Sequence, residues 1–336
     1  MLGSTSDVRP IVAAGRVILH SMRQNGSEVP SGMRSDHVHR WRGRIWTGDS
    51  GGQAPLEDGV IEHEAGRITS VRPAHSSDAP AEVDASGHPY TLLPGMVDLH
   101  NHGGDGHSFP TSSAAGCRRA AAYHRARGTT TMLASLVSAD GPTLIHQSAV
   151  LADLADEEVV AGIHLEGPFL SPARCGAQEP SALIPGDPDL LRQIIEAGRG
   201  HLRSLTIAPE TQHYDQLLSV CAEHNVVISL GHSDATAAEA QTALESAEAA
   251  KVPVTATHLY NAMPIMHHRD PGMQEHCCRQ QRKNAWSLKW WPMASTLMTS
   301  WLLSRWLRHP TRWRSSLTLW PPPAKAMAAT PWAELK

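Results

Sequence analysis

The 336-residue sequence lacks several features that mark secreted, membrane-surface or nucleic-acid-binding proteins. Its five cysteines form no C-x-x-C motif, so their spacing indicates no disulfide framework. The first thirty residues have no basic segment followed by an apolar one, so we expect no secretory signal and a cytoplasmic protein. The formal net charge of −4 disfavours nucleic acid or a membrane surface as the main partner.

Histidine, by contrast, is abundant. The chain has 21 histidines, while its apolar content of 41% and charged content of 18% are ordinary for a globular protein. Its length is sufficient for one large α/β domain and a small accessory domain. We expect many of the histidines at the surface, but their number makes metal chemistry the first hypothesis to examine.

The residue pattern divides the chain into four zones. Residues 1–40 are rich in Ser, Gly, Arg and His, which predicts a disordered or mis-assigned N-terminal extension. Residues 41–93 contain short β-like runs between Gly and Pro turns, which predicts a small β accessory domain, a sandwich. The last zone, 273–336, holds eight of the ten tryptophans and no Phe or Tyr, and it does not continue the preceding pattern.

In the third zone, residues 94–272, apolar runs alternate with Ala-rich helical stretches. This alternation predicts an α/β fold with a parallel sheet, and we expect a TIM-like (β/α)8 barrel that is incomplete here. In such barrels the active site lies at the carboxyl ends of the strands. The predicted strands are 96–99, 130–136, 159–165, 204–207, 226–230 and 254–257, and the predicted helices include 114–127, 190–197, 214–224 and 235–250.

Metal-binding side chains follow four of these predicted strands. His100 and His102 lie on the same side of an extended segment, Glu166 ends the third apolar run, and His232 and His258 follow the fifth and sixth. Imidazole and carboxylate suit Zn²⁺ or Fe²⁺, and a position left for water would make the site hydrolytic. The alternative is a set of unrelated structural histidines.

The segments around these residues resemble N-acetylglucosamine-6-phosphate deacetylases of the amidohydrolase superfamily. The H-x-H pair is shared by the whole superfamily, whereas the segments around Glu166 and Arg269 are nearly specific to this family. The resemblance covers about residues 44–272 and rests on P-G-M-V-D-L-H-N-H-G (94–103), H-L-E-G-P-F-L-S-P (164–172), A-P-E (208–210), S-L-G-H-S (229–233) and T-H-L-Y-N-A-M-P-I-M-H-H-R-D-P-G (257–272).

This resemblance implies a reaction and a metal site. The reaction would be hydrolysis of N-acetylglucosamine 6-phosphate to glucosamine 6-phosphate and acetate by a metal-activated water, in amino-sugar catabolism. One or two divalent ions, Zn or Fe, would be required. Glu166, His232 and His258 would hold the main ion, and His100 with His102 could hold a second.

The resemblance also implies a phosphate site. Asn261 and Ala262 would meet the sugar phosphate, and Arg269 would reach it across the interface of a homodimer; the alternative for Arg269 is a surface salt bridge. Family members commonly carry His where Gln178 stands, and Gln178 could still donate a hydrogen bond to the sugar. Cys175 is either a reactive thiol of a mobile loop or an ordinary loop residue.

Two family segments are missing from the sequence: an A-D-G-x-H whose His steadies the oxyanion, and a T-D-A-M whose Asp is general base and acid. Codons read one base earlier permit E-V-V-A-D-G-V-H across 289–296 and A-L-V-T-D-A-M-A-A-A-G-K-G-D-G across 314–328, with several residues fixed by the single Trp and Met codons. We therefore expect a frame change near 272–274, no catalytic Asp in this chain, and little activity.

Three other interpretations stay open from the sequence. The chain could be another amidohydrolase, such as a dihydroorotase or a nucleobase deaminase. It could be a non-catalytic remnant that binds metal or sugar phosphate and has a genuine novel tail. A membrane-associated protein that uses residues 290–306 would require the tail to be real, although that segment is too short and interrupted to span a bilayer comfortably.

Overall fold

The computed structural model describes residues 8–13, 16–21, 38–46, 55–64, 67–81, 90–269 and 271–277. Within these residues the chain forms two six-stranded sheets and one two-stranded hairpin. The predictions for residues 278–336, including the shifted-frame segments and the tryptophan-rich tail, lie outside the described residues. None of the helices in the described part combines the length and apolarity needed to cross a bilayer.

The N-terminal strands form one mostly antiparallel sheet. Two of its strands lie within 1–40, where composition predicts disorder; both are short runs with β-branched residues, which favour extended backbone. Ile45, Ile61 and Leu92 form a small core beneath the sheet. The strands are β1 (Val8–Ala13), β2 (Arg16–Ser21), β3 (His39–Ile45), β4 (Leu56–Glu64), β5 (Arg67–Pro73) and β6 (Thr91–Leu92), in the order β1-β2-β5-β4-β3-β6.

The second sheet is entirely parallel, and each strand neighbours the next one along the chain. In a doubly wound sheet the order of the strands across the sheet reverses at one point. Here the order does not reverse, so it is that of a barrel wall. All six predicted strands are confirmed. The elements are β7 (Met96–Asn101), a hairpin of β8 (Gly103–Gly104) and β9 (His107–Ser108), then β10 (Thr129–Leu136), β11 (Gly162–Glu166), β12 (Leu202–Ile207), β13 (Val227–Leu230) and β14 (Val254–Ala256).

One helix joins each pair of successive wall strands, and the four predicted helices are confirmed. A fifth, α2, was hidden because it begins at Asp140-Gly141-Pro142, which reads as a turn. In the structure Asp140 caps the helix by accepting a hydrogen bond from the Thr143 N–H, and proline suits a first turn. The helices are α1 (Ala114–Arg125), α2 (Gly141–Asp156), α3 (Pro188–Ala197), α4 (Tyr214–Glu223) and α5 (Ala237–Ala249).

The main core lies between the parallel sheet and these helices. Strand residues such as Leu165 and Ile207 are fully buried, which explains why the strands are continuous apolar runs. Residues 272–277 are helical, and Met273 and Cys277 are also fully buried. The packed core therefore continues past the predicted boundary at 272.

Candidate metal centre

The four histidines and the glutamate selected from the sequence meet at one edge of the parallel sheet. His100 lies in β7, and His102 follows its end. Glu166 is the last residue of β11, whereas His232 and His258 lie just beyond β13 and β14. Because parallel strands present their carboxyl ends at the same edge, residues far apart in the sequence become neighbours.

The Glu166 carboxylate stands between two histidine pairs. Its Oε1 is 3.2 Å from the Nε2 atoms of both His232 and His258. Its Oε2 is 3.4 Å from His100 Nε2 and 3.1 Å from His102 Nε2. The arrangement thus contains two three-residue groups that share Glu166, with the possible ligand atoms of each group within 4.8 Å of one another.

Three of the imidazoles have their outer nitrogen at a main-chain carbonyl oxygen. A carbonyl can only accept, so each Nδ1 is the donor, and in the neutral imidazole the Nε2 lone pair points inward. The contacts are His102 Nδ1 to the Ser135 oxygen at 3.2 Å, His232 Nδ1 to the Arg174 oxygen at 2.9 Å, and His258 Nδ1 to the Asn261 oxygen at 3.3 Å.

With these tautomers, the electrostatic energy of the centre is unfavourable unless a cation is present. The Nε2 atoms of His232 and His258 are 2.9 Å apart, so two inward lone pairs face each other beside an anionic carboxylate. Either an additional proton or a metal ion must lie between them. Two imidazole nitrogens and a carboxylate oxygen are ligands that suit Zn²⁺ or Fe²⁺, so the residues present fit a divalent ion.

Electrostatics in the centre favour a carboxylate and a protonated imidazole. Burial by itself would raise the pKa of Glu166, but the charge of His100 and the hydrogen bonds from the surrounding imidazoles outweigh it and hold that pKa well below its usual value. Burial would lower the pKa of His232, yet its hydrogen bond to Glu166 and the charge of that carboxylate outweigh burial and raise it. A metal ion and a proton therefore compete for the His232 imidazole.

The backbone at two candidate ligands is in the left-handed region, with φ of 49° at His232 and 28° at His258. Such conformations cost on the order of 1–3 kcal/mol each and persist where the surroundings determine them. Main-chain hydrogen bonds hold both, since the His232 oxygen accepts from Ser171 N at 2.9 Å and the His258 oxygen from Asn261 N at 2.8 Å. Both imidazoles are thus directed by fixed backbone.

A series of buried, hydrogen-bonded side chains next to the centre was missed by the sequence analysis. His164 is fully buried, and its ring lies 4.5 Å from that of His100 between centroids. The available signal was a histidine inside an apolar run, two residues before Glu166 and so on the same side of β11. The links are Ser135 Oγ to His164 Nδ1 (2.9 Å), His164 Nε2 to Thr206 Oγ1 (2.8 Å), Thr206 to Thr257 (2.7 Å) and Thr257 to Ser229 (2.7 Å).

The residues predicted to bind substrate differ in their burial and in their contacts with the centre. Asn261 contacts the centre through its main chain, and the Ala262 oxygen accepts from Ser233 N at 3.2 Å. Arg269 is exposed, and no acidic residue within the described ranges forms an ion pair with it. Gln178 is buried and donates to Glu166, and Cys175 is half-buried.

Comparison with known proteins finds a family match and similar enzymes. A model of the amidohydrolase family matches residues 91–287. The chain is 31% identical over 231 residues to an N-acetylglucosamine-6-phosphate deacetylase of Bacillus subtilis (strain 168), covering 65% of this chain and 56% of that protein. It is 33% identical over 225 residues to an N-acetylgalactosamine-6-phosphate deacetylase of Shewanella sp. (strain ANA-3), covering 65% and 53%.

A solved structure agrees with these relatives. A mutant N-acetyl-D-glucosamine-6-phosphate deacetylase from Mycobacterium smegmatis, in complex with N-acetyl-D-glucosamine-6-phosphate, superposes with a TM-score of 0.68 at 28% identity. The match covers 83% of this chain and 70% of that one. The chain spans about half the length of the curated relatives it matches.

Proposed function

The chain belongs to the amidohydrolase family, and from this premise we propose that it is built to hydrolyse the acetamide of N-acetylglucosamine 6-phosphate. The products would be glucosamine 6-phosphate and acetate, as in amino-sugar catabolism. The observation that carries the proposal is the shared Glu166 carboxylate between two histidine pairs. The relatives named above are deacetylases of this substrate class.

In this proposal Glu166, His232 and His258 would hold one divalent ion, and Glu166 with His100 and His102 would hold a second. When bound, such an ion would supply Lewis-acid chemistry, lowering the pKa of a bound water and polarising the acetamide carbonyl. Glu166 supplies negative charge to both groups through separate oxygens. The histidines would supply Nε2, and the anchored Nδ1–H groups of His102, His232 and His258 fix the direction of their lone pairs.

The loop after β14 supplies the proposed phosphate site. Asn261 and Ala262 lie beside the metal centre, where they can position the sugar phosphate. Arg269 is exposed, and its planar guanidinium can bind a phosphate through two hydrogen bonds. We place this arginine in the site of a second copy, across the interface of a homodimer.

The complete protein, in this proposal, has a closed (β/α)8 barrel and a β-sandwich accessory domain. Six wall strands lie in the described part of the chain. The remaining strands, the oxyanion-stabilising His and the general-base Asp would come from the shifted reading frame. The present polypeptide would therefore bind metal and substrate but turn substrate over slowly.

A substrate panel tests the proposed function. We expect the metal-loaded chain to bind N-acetylglucosamine 6-phosphate about 10- to 100-fold more tightly than unphosphorylated N-acetylglucosamine, because hydrogen bonds to a charged group contribute roughly 1.5–3 kcal/mol. Calorimetric binding and acetate release are both measured, so slow turnover does not hide the answer. N-acetylgalactosamine 6-phosphate is included because one relative acts on that epimer. Equal affinity for both N-acetylglucosamine forms, or turnover of dihydroorotate or a nucleobase, would contradict the proposal.

Metal binding should depend on pH with a defined sign. The raised pKa of His232 means that this imidazole keeps its proton above its usual pH range, and the ion must compete with that proton. Zn²⁺ affinity should therefore increase as pH rises through the His232 pKa and then level off. Without metal the effect is opposite: stability from protonated His232 is present at low pH and lost as pH rises through that pKa.

Zn²⁺ titrations between about pH 6 and 8, with the released protons measured in weak buffer, test this expectation. The stability of the metal-free protein is followed over the same range by thermal melting. Zn²⁺ affinity that does not change with pH, or binding without proton release, would contradict the competition between the ion and the His232 proton.

A further inference from the structure

The Gln178 side chain connects the ends of two wall strands. Its Nε2 donates to Glu166 Oε2 at 2.9 Å, and its Oε1 accepts from the main-chain N–H of Ser138 at 2.8 Å. Gln178 is 8% exposed and Glu166 is 3% exposed, so water does not compete for these bonds. Since the Ser138 N–H can only donate, the amide oxygen must face it and the amide nitrogen must face the carboxylate.

The orientation of the Glu166 carboxylate determines how it can bind metal. The terminal torsion of a glutamate is broad, so an unrestrained carboxylate can turn both oxygens toward one ion or give one oxygen to each of two ions. Here Oε2 faces His100 and His102, while Oε1 faces His232 and His258. Of the two lone pairs on Oε2, the Gln178 amide uses one and leaves the other for an ion.

We propose that Gln178 is a positioning residue that fixes the plane of the Glu166 carboxylate and so makes the centre bind two ions instead of one. The inference rests on the proposed function, because it assumes that the shared carboxylate is a metal ligand. Gln178 is not itself a ligand in this role. It holds Oε2 at the His100–His102 pair, which would otherwise supply only two nitrogens to the second ion.

The chemistry of the link defines which side chains can replace it. The position needs a donor toward Glu166 and an acceptor toward Ser138, and it must span both. Met has the length of Gln but neither group. Asn has both groups but is one methylene shorter. His carries one donor and one acceptor on its ring, so it should retain the link.

Zn²⁺ stoichiometry of the full chain, measured by equilibrium dialysis and chelator competition, tests the inference without any assay of activity. The wild-type chain should bind two ions. Gln178→Met should keep one tight ion and bind the second about 10- to 100-fold more weakly, the usual cost of losing an outer contact to a metal ligand. Gln178→His should bind two. Gln147→Met is the matched control, since Gln147 is equally buried but donates to the Phe109 oxygen, away from the centre.

Each outcome decides between the inference and its premise. Two ions bound to Gln178→Met at wild-type affinity would overturn the role of Gln178 and leave the metal centre intact. If the wild-type chain binds a single ion, the role of Gln178 is likewise overturned and the metal centre is kept. If the wild-type chain binds no ion, the proposed function is overturned as well. If Gln178→Met does not melt cooperatively without metal, Gln178→Asn replaces it with the same expected loss, and wild-type affinity in that variant overturns the inference.

Discussion

Replacing Glu166 with Gln should remove nearly all binding of divalent metal. We expect the affinity for Zn²⁺ to fall by more than about 100-fold, because losing only an outer contact to a ligand costs 10- to 100-fold. Glu166 is the only residue common to both candidate groups in the described part of the chain, so one substitution affects both. The carboxamide has no negative charge and cannot provide two anionic oxygens.

The same variant has a second, independent consequence. The hydrogen bond and charge of Glu166 raise the pKa of His232, so in the metal-free variant that pKa should fall back toward or below the ordinary histidine value. NMR titration of the histidine ring signals measures it. Glu157→Gln is a suitable control, because Glu157 pairs with Arg118 at the exposed surface, where such pairs contribute little. Tight Zn²⁺ binding by folded Glu166→Gln would place the metal elsewhere.

Restoring the reading frame should have the second large effect. A gene read one base earlier beyond the codons for 272–274 permits the A-D-G-V-H and T-D-A-M segments in place of the present tail. We expect acetate release from N-acetylglucosamine 6-phosphate to rise by about 10²- to 10⁴-fold, the factor that a positioned general acid and base contributes. The described sheet is open, because β7 and β14 form its two edges. A closed barrel requires further strands between these two edges.

Acetate release is compared between the present chain, the frame-restored chain, and a restored chain whose T-D-A-M Asp is changed to Asn. The last variant separates the return of the general base from the repair of the barrel, since it should fold as the restored chain does but remain slow. Resequencing across the codons for 272–274, with an intact mass of the native protein, identifies the natural frame. Acetate release by the present 336-residue chain at the restored rate would contradict the frame-change hypothesis.

The sequence alone determined the elements that depend on local pattern. Apolar runs of strand length, separated by helical stretches, predicted all six wall strands, and the family resemblance is confirmed by the amidohydrolase match. The candidate ligands were selected because each follows such a run. The helix α2 and the strands β1 and β2 were missed, since a turn-like start and a polar composition concealed their local signals.

Only the tertiary structure decided how the selected residues relate to one another. The sharing of Glu166 between two histidine pairs depends on distances across β7, β11, β13 and β14, which the register of the parallel sheet sets. The direction of the Gln178 amide depends on the Ser138 N–H, a main-chain group 40 residues away with no signature in the sequence. Residue type and order are local properties that a sequence states directly, whereas hydrogen-bond partners across a sheet follow from the path of the whole chain.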